Sequence, residues 1–260
     1  MNRLIKSLVL MSSLLLLAAC VTETTGRRQA NENSEEAAIL NYQLGVNYLN
    51  NGDWQRARVK LEKSIDQDSD NALAYTALGL AYQNLGDKDA AERNYRSGVA
   101  LQPKNPQALE LLAVFLCGDP DSNAEALKLF DRALAVPLSE SDSNKAGIYT
   151  NAGVCIKMTD LPKAEKYFRA ALSSDPQYAG ALIQMADVTF KRENPLQARA
   201  FLQRYLTVAP VSPEALWLGY EIEQNLGDFR AADQYGLQLR KDFPESIETG
   251  LLLEQLRDAG

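Results

Sequence analysis

Residues 72–103, ALAYTALGLAYQNLGDKDAAERNYRSGVALQP, carry the pattern that decides the fold. Tyr75, Leu78 and Tyr82 stand three and four positions apart and so share one face of a first helix, with Gly86 supplying the left-handed residue that stops it. A second helix follows at once. Its Ala91, Tyr95 and Gly98 again share a face, and the mixture of small and large residues lets two antiparallel helices pack closely before Pro103 ends the unit.

Outward from this stretch the same frame returns. Upstream it reads Leu44-Gly45, Tyr48, Gly52-Asp53, Ala57, Leu61 and Ser64; near the other end it reads Leu218-Gly219, Ile222, Gly227-Asp228, Ala231 and Tyr235. Less regular copies lie between. One runs Leu109, Leu112-Ala113, Leu116, Ala126, Phe130, Ala133 with one residue gained; the next runs Tyr149, Ala152-Gly153, Ile156, Ala164, Phe168, Ala171, Pro176 with one lost; the third runs Leu182, Met185-Ala186, Ala198, Leu202, Pro210. The period is about 34 residues and gives six helix pairs. This pattern resembles the tetratricopeptide repeat over roughly residues 38 to 245. The expected fold class is therefore all-α, a tetratricopeptide repeat solenoid of six helix pairs plus a C-terminal capping helix, with the superhelix over residues 37–258. The cap is Ser246 to Leu256, where Ile247, Leu251, Leu252 and Leu256 recur at helical spacing; an open stack needs one because each pair buries its apolar side only against a neighbour. Three features depart from the frame: Asn41 where the first copy should be large and apolar, Gln238 where the last should be small, and the polar insertion Leu138 to Asn144.

Arg3 and Lys6 precede an apolar run from Leu8 to Leu17, which at about ten residues is too short to span a bilayer and has the layout of a secretory signal. It ends Leu17-Ala18-Ala19-Cys20, which resembles the lipobox of bacterial lipoproteins. The resemblance implies that residues 1–19 are a lipoprotein signal peptide and that Cys20 becomes the acylated N-terminus. The alternative is an ordinary secretory signal with an incidental cysteine. Val21, rather than aspartate, at the second mature position implies sorting to the outer membrane. Several acyl chains on one cysteine anchor stably, at about 0.8 kcal/mol per buried methylene. The membrane is thus expected to be met through the lipid anchor only, at the periplasmic face. Residues 20–36 are polar without apolar periodicity and read as the acylated cysteine and a flexible tether, with a reach of roughly 20 to 25 Å.

Without Arg3 and Lys6, 25 basic side chains face 34 acidic ones, a balance of −9, so nucleic acid is not an expected partner of the body. Arg27-Arg28 is too small for a polybasic anchor and belongs to the solvated tether. The chain has no histidine, which removes the commonest general base, the usual zinc ligand and every Ser-His or Cys-His pair. Asp66, Asp68 and Asp70 lack the glycine and closing glutamate of a calcium loop. No catalytic residue, metal site or cofactor is expected, and the chain is read as a scaffold and not an enzyme.

Beyond Cys20 there are two cysteines. Cys117 falls just after the first helix of the third copy and Cys155 near the end of the first helix of the fourth. Equivalent helices of adjacent copies lie side by side at about 8 to 10 Å, close enough for a disulfide between inward-leaning side chains. A Cys117–Cys155 bond is expected; two buried free thiols are the alternative.

In the tetratricopeptide repeat the first helix of each pair lines the concave side, and the resemblance brings positions two, five, nine and twelve of the frame to that groove. Copy one then presents Ile39, Tyr42, Val46 and Leu49 inward, with Leu44, Gly45 and Tyr48 against its own second helix. Copy two adds Leu73 and Leu80 and turns polar at Thr76, Gln83 and Asn84; copy three adds Val114. A surplus apolar stripe of this kind marks a contact site, here for a peptide or helix. Thr150, Lys157, Asp187, Lys191 and Glu223 continue the line in copies four to six.

The lipobox, the tether and six repeats together resemble the PilF/PilW family of type IV pilus biogenesis lipoproteins, the pilotins. Leu172 to Pro176 and the run Ala198 to Leu206 share in the likeness, and a Cys117–Cys155 pair agrees with some members. The resemblance implies a non-catalytic outer-membrane lipoprotein that binds the type IV pilus secretin through a segment in the N-terminal groove and promotes its localisation and multimerisation. Another outer-membrane repeat lipoprotein, a barrel-assembly component or a peptidoglycan-enzyme adaptor, is the alternative.

Overall fold

In the computed structural model, residues 33–137 and 144–258 are described, and every regular element among them is helical. The contacts divide the chain into two units, 1–111 and 112–260. The first holds α1 (33–50), α2 (Trp54–Gln67), α3 (Ala72–Leu85) and α4 (Lys88–Leu101). The division falls inside α5 (Pro106–Leu116). The second unit continues with a 3-10 turn (Pro120–Ser122), α6 (Asn123–Ala135), α7 (Lys145–Ile156), α8 (Leu161–Ser174), α9 (Ala179–Lys191), α10 (Pro195–Val208), α11 (Pro213–Leu226), α12 (Phe229–Asp242) and α13 (Ile247–Asp258).

Every second helix except α6 begins at a residue whose side chain caps it. Gly86 (φ 84°) and Gly227 (φ 76°) end α3 and α11 in the left-handed region, and the next residue turns its side chain back on the chain. The Asp87 carboxylate accepts from the Ala90 amide and that of Asp228 from the Ala231 amide; Asp53, Asn71, Asn144, Asp160, Asn194 and Ser212 cap their helices in the same way. The fifth copy reaches the left-handed turn with Glu193 (φ 58°), a residue without glycine's freedom there.

Close packing within a pair rests on one contact. A β-carbon built on Gly79 would stand 2.8 Å from the Tyr95 ring, on Gly153 2.4 Å from Phe168, and on Gly219 2.8 Å from Tyr235; Gly45 lies in the same way against Leu61. The aromatic or leucine of the second helix thus fills the space a side chain would take. Replacing Gly79 by valine is expected to destabilise the chain by about 1–3 kcal/mol through overpacking against a ring that is 1% exposed. Gly250 of α13 has nothing within 4 Å of its would-be β-carbon, so Gly250→Ala should stabilise by up to about 1 kcal/mol. Urea midpoints of the two variants on opposite sides of wild type would check the contact.

α1 starts at residue 33, inside the stretch 20–36 read as tether. The Ser34 hydroxyl donates to the Gln67 carbonyl, which ties this first turn to the end of α2. Asn41 is explained by the same seam: it is buried, and its amide donates to the Ala37 carbonyl and the Gln67 side chain, both at 2.9 Å. Ser64 donates to the Ala38 carbonyl at 2.8 Å nearby. Gln238 is exposed and donates to Asp242, while Gly236 provides the buried small position of α12 beside Leu252. Of the insertion Leu138 to Asn144, only Asn144 lies within the described residues, where it caps α7. Residues 1–32, with the signal segment and Cys20, lie outside them.

The last helix forms where a cap was expected, and of Ile247, Leu251, Leu252 and Leu256 it turns Leu252 inward. Leu252 is buried with Leu216, Tyr220, Ala232 and Leu239, and the Thr249 hydroxyl donates to the Phe243 carbonyl at 2.8 Å. These two positions orient α13, and Ile247, Leu251 and Leu256 remain exposed.

Candidate functional site

The buried line of α1 runs Ala38, Asn41, Gly45 and Leu49, three and four residues apart. That line decides which predicted groove residues are available in the first unit. Leu49 is not: it is 8% exposed and joins Ala57, Leu61, Leu78 and Ala81 in the core. Ile39 is exposed and Val46 half-buried. Tyr42 packs its ring on the same core, and burial raises its hydroxyl pKa above the ordinary tyrosine value. On α3, Leu73 is exposed and Leu80 leans on that core from outside. Ile39, Tyr42, Val46, Leu73 and Leu80 thus remain as the apolar members of the predicted strip.

The polar members behave unequally. Thr76 does not line a groove: it is buried, its hydroxyl donates to the Ala72 carbonyl at 2.9 Å, and it occupies the close approach left by Gly98 of α4. Gln83 is exposed, and its side-chain oxygen accepts from the Tyr95 hydroxyl at 2.8 Å. Asn84 is exposed, with one N–H given to the Leu80 carbonyl. Of the three residues expected against α2, Gly45 meets Leu61 and Tyr48 lies under the Arg56 guanidinium at 4.9 Å. Leu44 instead is exposed.

Val114 belongs to the second unit, where it is exposed. The charged line of that unit is largely neutralised from within. Lys157 and Lys191 both reach Asp187, at 3.1 and 3.0 Å, and Lys157 also donates to Gln184 at 2.8 Å. Thr150 is buried, its hydroxyl donating to the Ala146 carbonyl. Glu223 is buried too and paired with Arg199 of α10, so it is not a groove residue. Glu221, two positions earlier, holds the half-buried place instead. Desolvation raises its carboxyl pKa, Asp187 adds to this, and Lys191 partly offsets it. Period alone could not choose between two glutamates on one helix.

A second buried carboxylate in this unit is structural. Burial disfavours the charged form of Glu165, but hydrogen bonds from Arg169 and Arg192 outweigh it and hold the pKa below the usual carboxylate range. Cys117, just past α5, and Cys155, in the last turn of α7, are joined as a disulfide with Cα atoms 5.2 Å apart. Among the described residues no group of three or more cysteine, aspartate or glutamate side chains is placed to hold a metal ion.

Matches to family models fall on both units. A TPR repeat model covers residues 45–86, and tetratricopeptide repeat models cover 72–115 and 156–218. The type IV pilus assembly protein PilF of Pseudomonas aeruginosa is 26% identical over 234 residues, spanning 89% of this chain and 91% of PilF. The crystal structure of PilW, a widely conserved type IV pilus biogenesis factor, aligns with a TM-score of 0.73 at 27% identity, over 83% of this chain and 98% of PilW. A structure of Pseudomonas aeruginosa PilF aligns with the same score at 25% identity, over 86% and 99% of the two chains.

Proposed function

We infer the role of this chain from what it is, a tetratricopeptide repeat protein and a homologue of PilF. It is an outer-membrane lipoprotein of type IV pilus biogenesis, a pilotin, which holds a segment of the pilus secretin and promotes the secretin's localisation and multimerisation. The observation that carries this reading is the likeness to PilF and PilW across nearly the whole length of each relative. The lipobox ending in Cys20 supports the anchor, and the acyl chains at that residue would hold the body at the periplasmic face of the outer membrane. The task needs an anchor and a binding surface, with no bond made or broken, so the protein acts as a scaffold and not an enzyme. The secretin segment lies along Ile39, Tyr42, Val46, Leu73 and Leu80, with the exposed amides of Gln83 and Asn84 beside its backbone.

Deleting the gene should leave the secretin monomeric or outside the outer membrane, read as loss of the heat-resistant multimer on a denaturing gel. Unchanged multimers in the outer membrane would defeat the assignment. An Ile39→Ser, Tyr42→Ser chain should keep its helical circular dichroism and lose capture of purified secretin; retained capture would move the contact off this strip.

A further inference from the structure

In three helix pairs, the first helix is roofed by the second helix of the pair before, and the roof has one composition. Leu78 of α3 packs with Ala57 and Leu61 of α2. Met185 of α9 packs in one core with Ala164 and Phe168 of α8, and Leu218 of α11 with Ala198 and Leu202 of α10. Every roof therefore offers a small residue and, four positions on, a large apolar one on the same helical face. Counting from the glycine or alanine that faces the second helix, Leu44 of α1 holds the position of Leu78, Met185 and Leu218. Leu40 holds the position of Ala74, Ala181 and Glu214. Of these six counterparts Glu214 is exposed and the other five are buried, yet Leu40 is 54% and Leu44 46% exposed. Among the described residues, the first copy keeps the apolar residues of an inner copy without the helix that covers them. Residues 21–32, Val-Thr-Glu-Thr-Thr-Gly-Arg-Arg-Gln-Ala-Asn-Glu, hold no apolar period from which to supply one.

We propose that the face of α1 bearing Leu40 and Leu44 docks an amphipathic helix of a partner protein, one that carries a small residue and a large apolar residue four positions apart, seated as α2 sits on α3. The contact continues an interface the chain already builds between its own repeats. At about 100° per residue, this face lies roughly 160° around α1 from Tyr42 and Val46, so it is separate from the strip assigned to the secretin segment and stands whether or not that partner is a secretin. A second copy of the chain is poorly suited as occupant. Its matching pairs Ala57 with Leu61, Ala91 with Tyr95, Ala126 with Phe130, Ala164 with Phe168 and Ala198 with Leu202 are buried within its own units, and in the sixth, Ala231 with Tyr235, the tyrosine is already packed on two cores of its own unit.

The probe is a fluorescent synthetic peptide of residues 53–71, which is α2 with its caps and carries Ala57 and Leu61, titrated into the exported, purified chain. Saturable binding is expected, and Leu44→Glu should weaken it by about tenfold or more, since a carboxylate would be buried without a partner. Leu40→Glu should act alike, and Ile39→Ser should leave the affinity unchanged. A peptide with Ala57→Glu and Leu61→Glu should not bind. Because Leu40 and Leu44 are half exposed, both glutamate variants should melt as wild type does, which separates lost docking from lost folding. Absence of peptide binding, or equal affinity for wild type and Leu44→Glu, would overturn the proposal. So would a wild-type dimer in sedimentation that Leu44→Glu dissociates, for that would place a second copy on the face.

Discussion

Reduced and oxidised protein are expected to differ in stability by about 4 kcal/mol in the second unit, because the Cys117–Cys155 bond closes a loop spanning 38 residues. In the chain-entropy account the bond acts on the unfolded chain, whose ends it keeps together, and the gain grows slowly with loop length. With a urea dependence of about 2 kcal/mol per molar, the unfolding midpoint should fall by about 2 M when dithiothreitol is added or when both cysteines are replaced by serine. The position of the bond makes the effect more than a generic staple. Ala113 and Phe130 are one residue further apart, and Gly153 and Phe168 one residue closer, than the 16-residue spacing of Gly79–Tyr95 and Gly219–Tyr235. The third and fourth copies are therefore the irregular ones, and in an array stabilised by neighbour contacts an irregular junction is where unfolding begins. The covalent tie joins those two copies. Coincident urea curves with and without reductant would mean that the bond is absent or carries no load.

The spacing that exposes this irregularity was readable in the chain because it reports a contact. Glycine or alanine in a first helix and an aromatic or leucine 15 to 17 residues later in the second must meet, so the frame could be followed from Gly45 to Tyr235. The cysteines were legible for the same reason, since frame positions place them at the ends of adjacent first helices. The candidate site was less legible. Helical period states that Leu44 and Leu49 both lie on apolar lines of α1, but not which neighbour each line meets. Leu49 faces the core formed with Leu61 and Leu78, whereas Leu44 faces the side where an earlier copy would stand. Only the end of an array breaks the equivalence between a residue and its counterparts in other copies, and a periodic pattern carries no mark of that break. Thr76 misled for a different reason: a hydroxyl that bonds back to the Ala72 carbonyl is satisfied within its own helix and can be buried against Gly98 without a partner helix offering a polar group.

The same limit applies to charges, and it leads to the second large effect. Glu223 is a surface residue by type, yet its side chain is only 6% exposed and its carboxylate takes two hydrogen bonds from the Arg199 guanidinium, with Asp228 a further 4.0 Å contact of that arginine. The pair spans α10 and α11 and so joins successive copies. Replacing Arg199 by methionine keeps the aliphatic bulk but leaves the carboxylate buried without its donor, and the expected loss is about 3 kcal/mol, at the lower end of what breaking a buried pair costs because Arg199 itself is 30% exposed. Replacing both partners removes the stranded charge. Arg199→Met with Glu223→Leu should therefore recover most of the lost stability, which a simple loss of packing at position 199 would not allow. Urea unfolding of wild type, the two single variants and the double variant measures the coupling directly. A single Arg199→Met variant within about 0.5 kcal/mol of wild type would mean that water reaches Glu223 in place of the guanidinium, and that the junction between these copies is held by the apolar core that includes Ala198, Leu202, Ala215, Leu218 and Ile222.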